Sequence, residues 1–502
     1  MYSTKIPSQS FKIYLCLCFI ISSFSNFVFS QDKTEFDVVI SGGRVLDPET
    51  GLDQIKNIGI LDGIIAEISS NILLGKNNVD ASGLIVSPGF IDLHVHGMTN
   101  VEQEYQIHDG VTTALELEGG IPYLSDWYDS RKSKSIINYG ASVNWGFSRI
   151  LAMKKYEDLQ DKVAQLTKRT DRLSTIYSNA VQTINETLTP DEIEQMFIKL
   201  KDELNAGGIG IGIPIGYYPG AKPEEDFRIY QYAGKEQIPI FSHVRQGGII
   251  SVQQAISNAM LTHAPLHIVH MNSMALGDIG IGIEMVQAAQ NQGYDITTEM
   301  YPYTAASTSL ESAIFNDGWQ QKLSISYNDL QWVKTGERLT EETFKKYRKE
   351  GGTVIIHMMK PEWIKAGLKT DGTIVASDGM GYAKLAHPRT AGTFSRVLGK
   401  YVRDEKVLDL MGAIKKMTLL PAQRLENIVP VMRFRGRIQV GAIADITIFD
   451  SEKIIDKATF ENGLAFSEGV QYVLVKGVFV LKEGKTVKNT FPGQPVFGKY
   501  KN

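Results

Sequence analysis

Pro88-Gly89-Phe90-Ile91-Asp92-Leu93-His94-Val95-His96-Gly97 reads as a short buried strand that ends in two alternating histidines. Side chains two apart on a strand share a face, so His94 and His96 point one way and Val95 the other. Two neutral imidazoles on one face can share a metal ion. A His-x-His pair alone also fits two histidines satisfied by ordinary hydrogen bonds, so its meaning depends on where the strand lies in the fold.

Seven further apolar runs follow that first one (Phe90 to His96): Val111 to Glu118, Ala141 to Trp145, Gly208 to Gly216, Ile238 to Val244, Leu266 to His270, Tyr294 to Met300 and Thr373 to Ser377. Amphipathic text separates them. In Pro190 to Asn205, for example, Ile193, Met196, Phe197, Leu200 and Leu204 recur at helical spacing behind an Asp191-Glu192 start. Strands alternating with helices predict an α/β fold, a parallel sheet covered by helices, and eight such strands predict a closed (β/α)8 barrel of the TIM type over 87–424. A ninth apolar run, Thr353 to His357, competes for a place in that count. The polar, helix-like stretch 315–350 is expected to be an insertion near the mouth. Short apolar runs broken by turn residues, such as Phe36-Asp37-Val38-Val39-Ile40 and Ala444-Asp445-Ile446-Thr447-Ile448-Phe449, flank the barrel. They predict a small β domain formed by both chain ends, 31–86 and 425–502.

At 502 residues, 43% hydrophobic, 22% charged and with a net charge of -4, the chain is neither disordered nor an electrostatic binder of nucleic acid. Lys5 and Lys12 precede an apolar run from Ile13 to Phe24, with Val28 and Ser30 before Gln31. Residues 1–30 therefore read as a secretory signal peptide whose apolar run is too short to span a membrane. The expectation is a periplasmic or secreted protein with no membrane association after cleavage. Cys16 and Cys18 both lie in that leader, which leaves the mature chain no thiolate for a metal.

His243, His270 and Asp378 close the fifth, sixth and eighth predicted strands. In TIM-like barrels the C-terminal strand ends carry the active site, so with His94 and His96 they make a plausible metal constellation. His108, His263 and His267 do not sit at strand ends and read as structural, while His357 and His387 are intermediate cases.

With these residues in place, the chain resembles the amidohydrolase superfamily, and within it the N-acyl-D-amino-acid deacylases, or D-aminoacylases. The resemblance also rests on Gly110-Val111-Thr112-Thr113, Tyr218-Pro219-Gly220, Tyr301-Pro302-Tyr303-Thr304-Ala305, Ser377-Asp378-Gly379, His387-Pro388-Arg389, and Gly441 with Ala444-Asp445. It implies that His94 and His96 form one metal half-site, that His243 and His270 form the other, and that Asp378 is the catalytic carboxylate and a ligand. It implies Zn²⁺, as one or two ions, and a small-molecule amide substrate. Two departures stand out. D-aminoacylases usually place a cysteine ligand after the second strand, where this chain reads Leu115-Glu116-Leu117-Glu118-Gly119-Gly120. Where a lysine often follows the sixth-strand histidine, this chain has Asn272, which stands as a candidate substrate-binding residue.

A carboxylate can replace the thiolate, since it too binds Zn²⁺. Strand geometry gives Glu116 and Glu118 one face, with Leu115 and Leu117 expected to turn to the helix layer. Glu118 lies nearer the rim and is the expected ligand, with Glu116 deeper in a supporting role. Arg245, Arg389 and Tyr217 are candidate partners for a substrate carboxylate, with a structural ion pair or simple packing as the alternative. The expected activity is hydrolysis of the N-acyl amide of an N-acyl-D-amino acid. Its rivals are a cyclic amidohydrolase of the dihydroorotase or hydantoinase kind, an unusual dipeptidase, or an exported binding protein without catalysis.

Overall fold

A computed structural model of the chain describes residue 1 and residues 35–167, 183–381 and 386–501. The signal peptide read at 1–30 lies outside the described residues, apart from Met1. Five N-terminal strands come first: β1 (Glu35–Asp47), β2 (Leu52–Leu61), β3 (Ile64–Ser69), β4 (Leu74–Asp80) and β5 (Ile85–Pro88). Seven barrel strands follow: β6 (Phe90–Asp92), β7 (Val111–Ile121), β8 (Asn138–Asn144), β9 (Ile211–Pro214), β10 (Ile240–His243), β11 (Leu266–Ile268) and β12 (Ile296–Met300). Next come β13 (Ala306–Ser309), β14 (Leu330–Trp332) and β15 (Thr353–Ile356), then the eighth barrel strand, β16 (Thr373–Val375). The last four are β17 (Ile446–Phe449), β18 (Val470–Val475), β19 (Val478–Lys482) and β20 (Lys485–Thr486).

The eight barrel strands pair in parallel in the order β16-β12-β11-β10-β9-β8-β7-β6, and each coincides with one of the eight apolar runs. The first and last strands meet just beyond their ends, where Val95 bridges Gly379 and the His96 amide donates to the Gly379 carbonyl at 2.7 Å. Buried Asp92 strengthens this seam by accepting from the Ser377 amide at 2.9 Å. Apart from β7 and β8, the observed strands are shorter than the apolar runs, and at the site the backbone leaves strand geometry. His270 and Asp378, each just past a strand, adopt positive φ of 33° and 52°, a region that non-glycine residues enter only when their surroundings hold them there.

The run Thr353 to His357 is not a barrel strand. It supplies β15, the centre of a three-stranded antiparallel sheet in the order β13-β15-β14. The insertion is therefore larger than 315–350 and contains strands as well as helices. Stacked aromatic rings stiffen it, with Trp319 and Phe344 at a centroid separation of 5.2 Å.

One nine-stranded sheet joins β1 to β5 with β17 to β20, so both chain ends build the second β unit. The strands of this unit stop at Thr486. The remaining chain returns to the barrel, where the Val496 amide donates to the Tyr139 carbonyl at 2.7 Å and the Val496 side chain is buried. Below the site, Ile91, Leu115, Leu117, Phe241, Val269 and Ile374 come from five different barrel strands or their ends and pack together with Leu425 and Ile428. Contact among side chains from opposing strands identifies this cluster as the filled lumen. Leu115 and Leu117 thus face the barrel interior, contrary to the expectation from simple alternation that they turn to the helix layer. Among the described residues no helix is long and apolar enough to cross a membrane.

A buried carboxylate ties the layers together. Asp109 accepts from the Phe394 and Ser395 amides at 2.8 Å each and from Ser467 Oγ at 3.1 Å, and burial pushes it up to about 7 despite these bonds. Asp109→Ala leaves two buried amides without acceptors, so it should cost about 2–4 kcal/mol of stability. Urea denaturation checks this, and a cost within about 0.5 kcal/mol of zero would mean that these bonds contribute nothing net.

Candidate metal centre

Four histidines and two carboxylates converge above the lumen floor, with Glu118 in the middle. Its Oε2 lies 3.2 Å from His94 Nε2 and 3.1 Å from His96 Nε2. Its Oε1 lies 2.8 Å from His243 Nδ1 and 3.0 Å from His270 Nε2. One carboxylate therefore addresses two histidine pairs, one with each oxygen. Asp378 Oδ1 sits beside the first pair, 3.5 Å from His94 Nε2 and 3.4 Å from His96 Nε2.

The strand irregularity in β7 makes this possible. Pairing with β8 jumps between Glu116 and Ile121, which takes Glu118 out of the alternation that points Leu115 and Leu117 into the floor. Gly120 carries the distortion at φ 68°, and a Cβ there would fall 2.6 Å from the Val143 carbonyl carbon. Glycine alone fits that position.

The outward nitrogens of the rings are also held. His94 Nδ1 lies 2.6 Å from Glu299 Oε1, and Glu299 Oε2 lies 3.0 Å from His267 Nε2. His267 Nδ1 then meets Thr297 Oγ1 at 2.8 Å. His96 Nδ1 lies 2.8 Å from Glu116 Oε2, and Glu116 Oε1 accepts from the Gly119 amide at 3.0 Å. His270 Nδ1 meets Ser273 Oγ at 3.1 Å. These contacts turn Nε2 of three rings inward, whereas His243 faces Glu118 through Nδ1. Glu299 was not singled out in the sequence, and His267 was read as structural, because both lie inside strands. The available signal was their parity, since both fall on the lumen-facing side of adjacent strands.

Burial opposes charge on His94, yet the carboxylates of Asp378, Glu299 and Glu118 raise its pKa well above the ordinary value. His96 behaves likewise, with Glu116, Asp378 and Glu118 outweighing burial. Burial instead lowers His243. On the acidic side, burial is overcome by His94, His243 and His270 at Glu118, which stays well below the carboxylate range. Glu299 is brought down to about 2 against the effect of burial, chiefly by His94 and His267. This clustering of buried acids with neutralising imidazoles suits a cation. The donor sets His94–His96–Glu118, Glu118–His243–His270 and His94–His270–Asp378 each keep their ligand atoms within 4.8 Å of one another. Imidazole nitrogens and carboxylate oxygens are the donors zinc uses, so the residues fit the metal.

A cavity of about 590 Å³ opens over this cluster, lined in part by His96, Glu118, Tyr217, His243, His270 and Asp378. Of the residues expected to meet a substrate carboxylate, Tyr217 lies on this wall, its hydroxyl 3.0 Å from Thr308 Oγ1. Arg389 stands behind it. Its guanidinium pairs with Asp378 Oδ2 at 2.9 Å and sits 4.8 Å over the Tyr301 ring. Arg245 and Asn272 do not line the cavity. Arg245 is taken up by the Ala221 carbonyl at 2.6 Å and Asp226 at 3.4 Å, which makes it a structural ion pair. Asn272 is fully buried in the short helix Met271–Ala275 and donates to the Tyr301 carbonyl at 3.1 Å. His357 and His387 bond to Gln331 and to the Ala305 carbonyl, outside the cluster.

A nearly closed parallel barrel with histidines and carboxylates gathered at its C-terminal mouth, joined to a two-ended β unit, is the architecture of an amidohydrolase. Within that class the chain is similar to the D-aminoacylases. The D-aminoacylase of Alcaligenes xylosoxydans xylosoxydans is 26% identical over 479 residues, covering 90% of this chain and 96% of that protein. N-acyl-D-glutamate deacylase from the same organism is 27% identical over 500 residues, covering 90% and 95%. Dihydroorotase of Streptococcus pneumoniae serotype 4 is 25% identical over 439 residues, covering 83% and 90%. Among solved structures, N-acyl-D-glutamate deacylase from Bordetella bronchiseptica, complexed with zinc and a phosphonate mimic of the tetrahedral intermediate, superposes with a TM-score of 0.77. It is 23% identical and covers 92% of this chain and 100% of that one. A D-aminoacylase crystal structure gives a TM-score of 0.74 at 24% identity, with the same coverage. No protein-family model matches the chain.

Because both histidine pairs lean on Glu118, Glu118→Ala should lose at least one metal equivalent and nearly all activity, whereas Glu116→Ala should weaken metal affinity without emptying the site. Metal analysis of both purified variants decides this, and retention of full metal by Glu118→Ala would remove it as a ligand. Since His94 and His96 hold protons more tightly than free histidine and a ligand must be deprotonated, zinc affinity should keep rising as pH increases above the ordinary histidine value of 6.5. Competition with a chelator of known affinity reads this directly. A flat profile would mean that these rings are already neutral.

Proposed function

We propose that the chain is a zinc-dependent amidohydrolase that cleaves the N-acyl amide bond of a small substrate, most specifically an N-acyl-D-amino acid. The observation that carries this reading is Glu118 placed between two histidine pairs, with Asp378 beside one of them, at the mouth of a cavity that takes a small molecule. The names of the relatives, D-aminoacylase and N-acyl-D-glutamate deacylase, support the substrate class.

We assign His94, His96, Glu118, His243, His270 and Asp378 to the metal. Zinc bound there supplies a polarised carbonyl and a water whose pKa falls towards about 7. Asp378 is the base: Oδ1 faces the histidine pair, where it can take a proton from attacking water and pass it to the leaving nitrogen. Arg389 holds Oδ2 and so fixes the direction in which Oδ1 points. The same guanidinium, one contact behind the cavity-lining Asp378, is with Tyr217 the candidate partner for a substrate carboxylate. The buried Asn272 cannot replace a cavity-facing lysine in that role. The leader read at 1–30 supports placing this activity in the periplasm or outside the cell.

A panel of N-acyl-D- and N-acyl-L-amino acids, with dihydroorotate and a hydantoin as cyclic amides, tests the reading by release of free amine or by ring opening. Hydrolysis of the D-series is the expected result. Turnover of the cyclic amides alone would replace the substrate class and keep the chemistry. Asp378→Asn should keep the fold and most bound metal while lowering kcat by orders of magnitude, because an amide cannot accept the proton. Near-normal turnover in that variant would remove Asp378 from the mechanism.

A further inference from the structure

Charge is unevenly spread over the cavity wall. Among the described residues no lysine or arginine lines it, whereas two acids outside the metal cluster do, Glu102 and Glu311. Glu102 is engaged at the start of a helix, where its Oε2 accepts from the Thr99 amide at 2.9 Å. Glu311, just beyond β13, is held from one side only. Its Oε2 accepts from the Gly352 amide at 3.0 Å, and the Leu310 amide donates to the Gly352 carbonyl at 2.8 Å. Gly352 has a φ of 148°, and a Cβ there would fall 2.6 Å from the Trp332 ring, so a glycine is needed to present that amide. Among the described residues Glu311 Oε1 has no hydrogen-bond or ion-pair partner. The guanidinium of Arg348 is taken up by the Phe315 carbonyl and, at 2.8 Å, by Asn316 Oδ1. Next to Glu311, the Ser312 hydroxyl lines the same wall and is buried without a hydrogen-bond partner. The metal cluster is within reach of this corner. The Tyr217 ring lies 4.8 Å from that of His243, and its hydroxyl meets Thr308, three residues before Glu311, at 3.0 Å. Three residues span at most about 10 Å.

We infer that Glu311 sets the side-chain specificity of the site by receiving the cationic end of the substrate, so that N-acyl amino acids with a basic side chain are preferred and those with an acidic side chain are disfavoured. This substrate class deepens the N-acyl amide reading of the site and stands on it. A carboxylate already fixed through one oxygen loses little freedom when the other oxygen binds, and a hydrogen bond from an ammonium or guanidinium to it is charge-assisted. The Ser312 hydroxyl can accept a second N–H of the same group. The substrate then lies with its own carboxylate towards Arg389 and Tyr217 and its cation towards Glu311. An acidic side chain in the same place meets like charge with no cation on the described wall to offset it, and such repulsion discriminates as effectively as a favourable contact. An apolar side chain meets neither the attraction nor the repulsion and falls between the two.

The test compares kcat/KM of the zinc-loaded enzyme on Nα-acetyl-D-lysine, Nα-acetyl-D-arginine, N-acetyl-D-methionine and N-acetyl-D-glutamate. The two basic substrates should lead and glutamate should come last. Glu311→Gln, which keeps an acceptor for the Gly352 amide, should lower the lysine-to-methionine ratio of kcat/KM about 10–100-fold, the usual worth of a hydrogen bond between charged partners. Glu311→Lys should turn the preference towards glutamate. Calorimetric binding of free D-lysine and D-glutamate to the same three proteins reads the contact without turnover and should shift in the same direction. Circular dichroism of each variant reports whether the fold is intact. Wild-type preference for glutamate over lysine overturns the assignment, as does a lysine-to-methionine ratio that Glu311→Gln leaves unmoved. If no N-acyl amino acid of any side chain is cleaved while cyclic amides are, the N-acyl reading itself fails, which separates that failure from an error about the side-chain contact.

Discussion

A largely buried carboxylate, touched by four imidazoles from three strand ends, is the constraint on which the rest of this structure depends. Glu118 is 5% exposed, and an isolated carboxylate so placed would shed its charge rather than stay ionised. It stays charged because His94, His96, His243 and His270 reach it from β6, β10 and β11 and their ends. Those contacts are possible only when the strands keep their observed register, with His243 level with Pro214 and Ser242 level with Ile268. The electrostatics of one residue and the register of the barrel are therefore the same requirement. Loss of a partner costs more than a hydrogen bond, because it leaves buried charge uncompensated.

The lumen below explains how such a cluster can form on short strands. Leu115, Leu117 and Phe241 fill the barrel beneath the histidine–carboxylate cluster, and Leu425 and Ile428 close its lower end. This apolar floor excludes water from one side of the cluster and makes β7 leave regular geometry at Glu116 to bring Glu118 over it. The seam between β6 and β16 serves the same end. It places Asp378 opposite His94 and His96, and its polar contacts, from Asp92 to Ser377 and from His96 to Gly379, replace a longer run of strand pairing.

Most of this frame was legible in the residue pattern. Parallel strands covered on both faces are continuous apolar runs, and all eight stand out in the text, with His94, His96, His243, His270 and Asp378 at their ends. What alternation could not deliver was the bulge in β7, since a two-residue period assumes that no residue is skipped, and Leu115 and Leu117 were assigned to the wrong layer for that reason. Thr353 to His357 looked like a barrel strand because apolar periodicity does not distinguish a lumen from a small antiparallel sheet. Arg245 and Asn272 failed as cavity residues because their partners, Asp226 and the Tyr301 carbonyl, are close only in the folded chain. Glu299 and His267 were unreadable as a pair for the same cause, being 32 residues apart and meeting only because β11 and β12 are neighbours.

A carboxylate at the centre, where the family resemblance implies a thiolate, has consequences beyond charge. A cysteine ligand beside an open cavity is a target for oxidation, most of all when it is held as thiolate. Glu118 cannot be oxidised in that way, and the chain contains no cysteine beyond Cys18. Such a centre suits the oxidising compartment to which the leader is proposed to direct the protein. A carboxylate also has two oxygens separated by a rigid angle, so it can serve two ions without bringing them onto one atom. The split of Glu118, Oε2 to one pair and Oε1 to the other, is the geometry that a single sulfur could not provide.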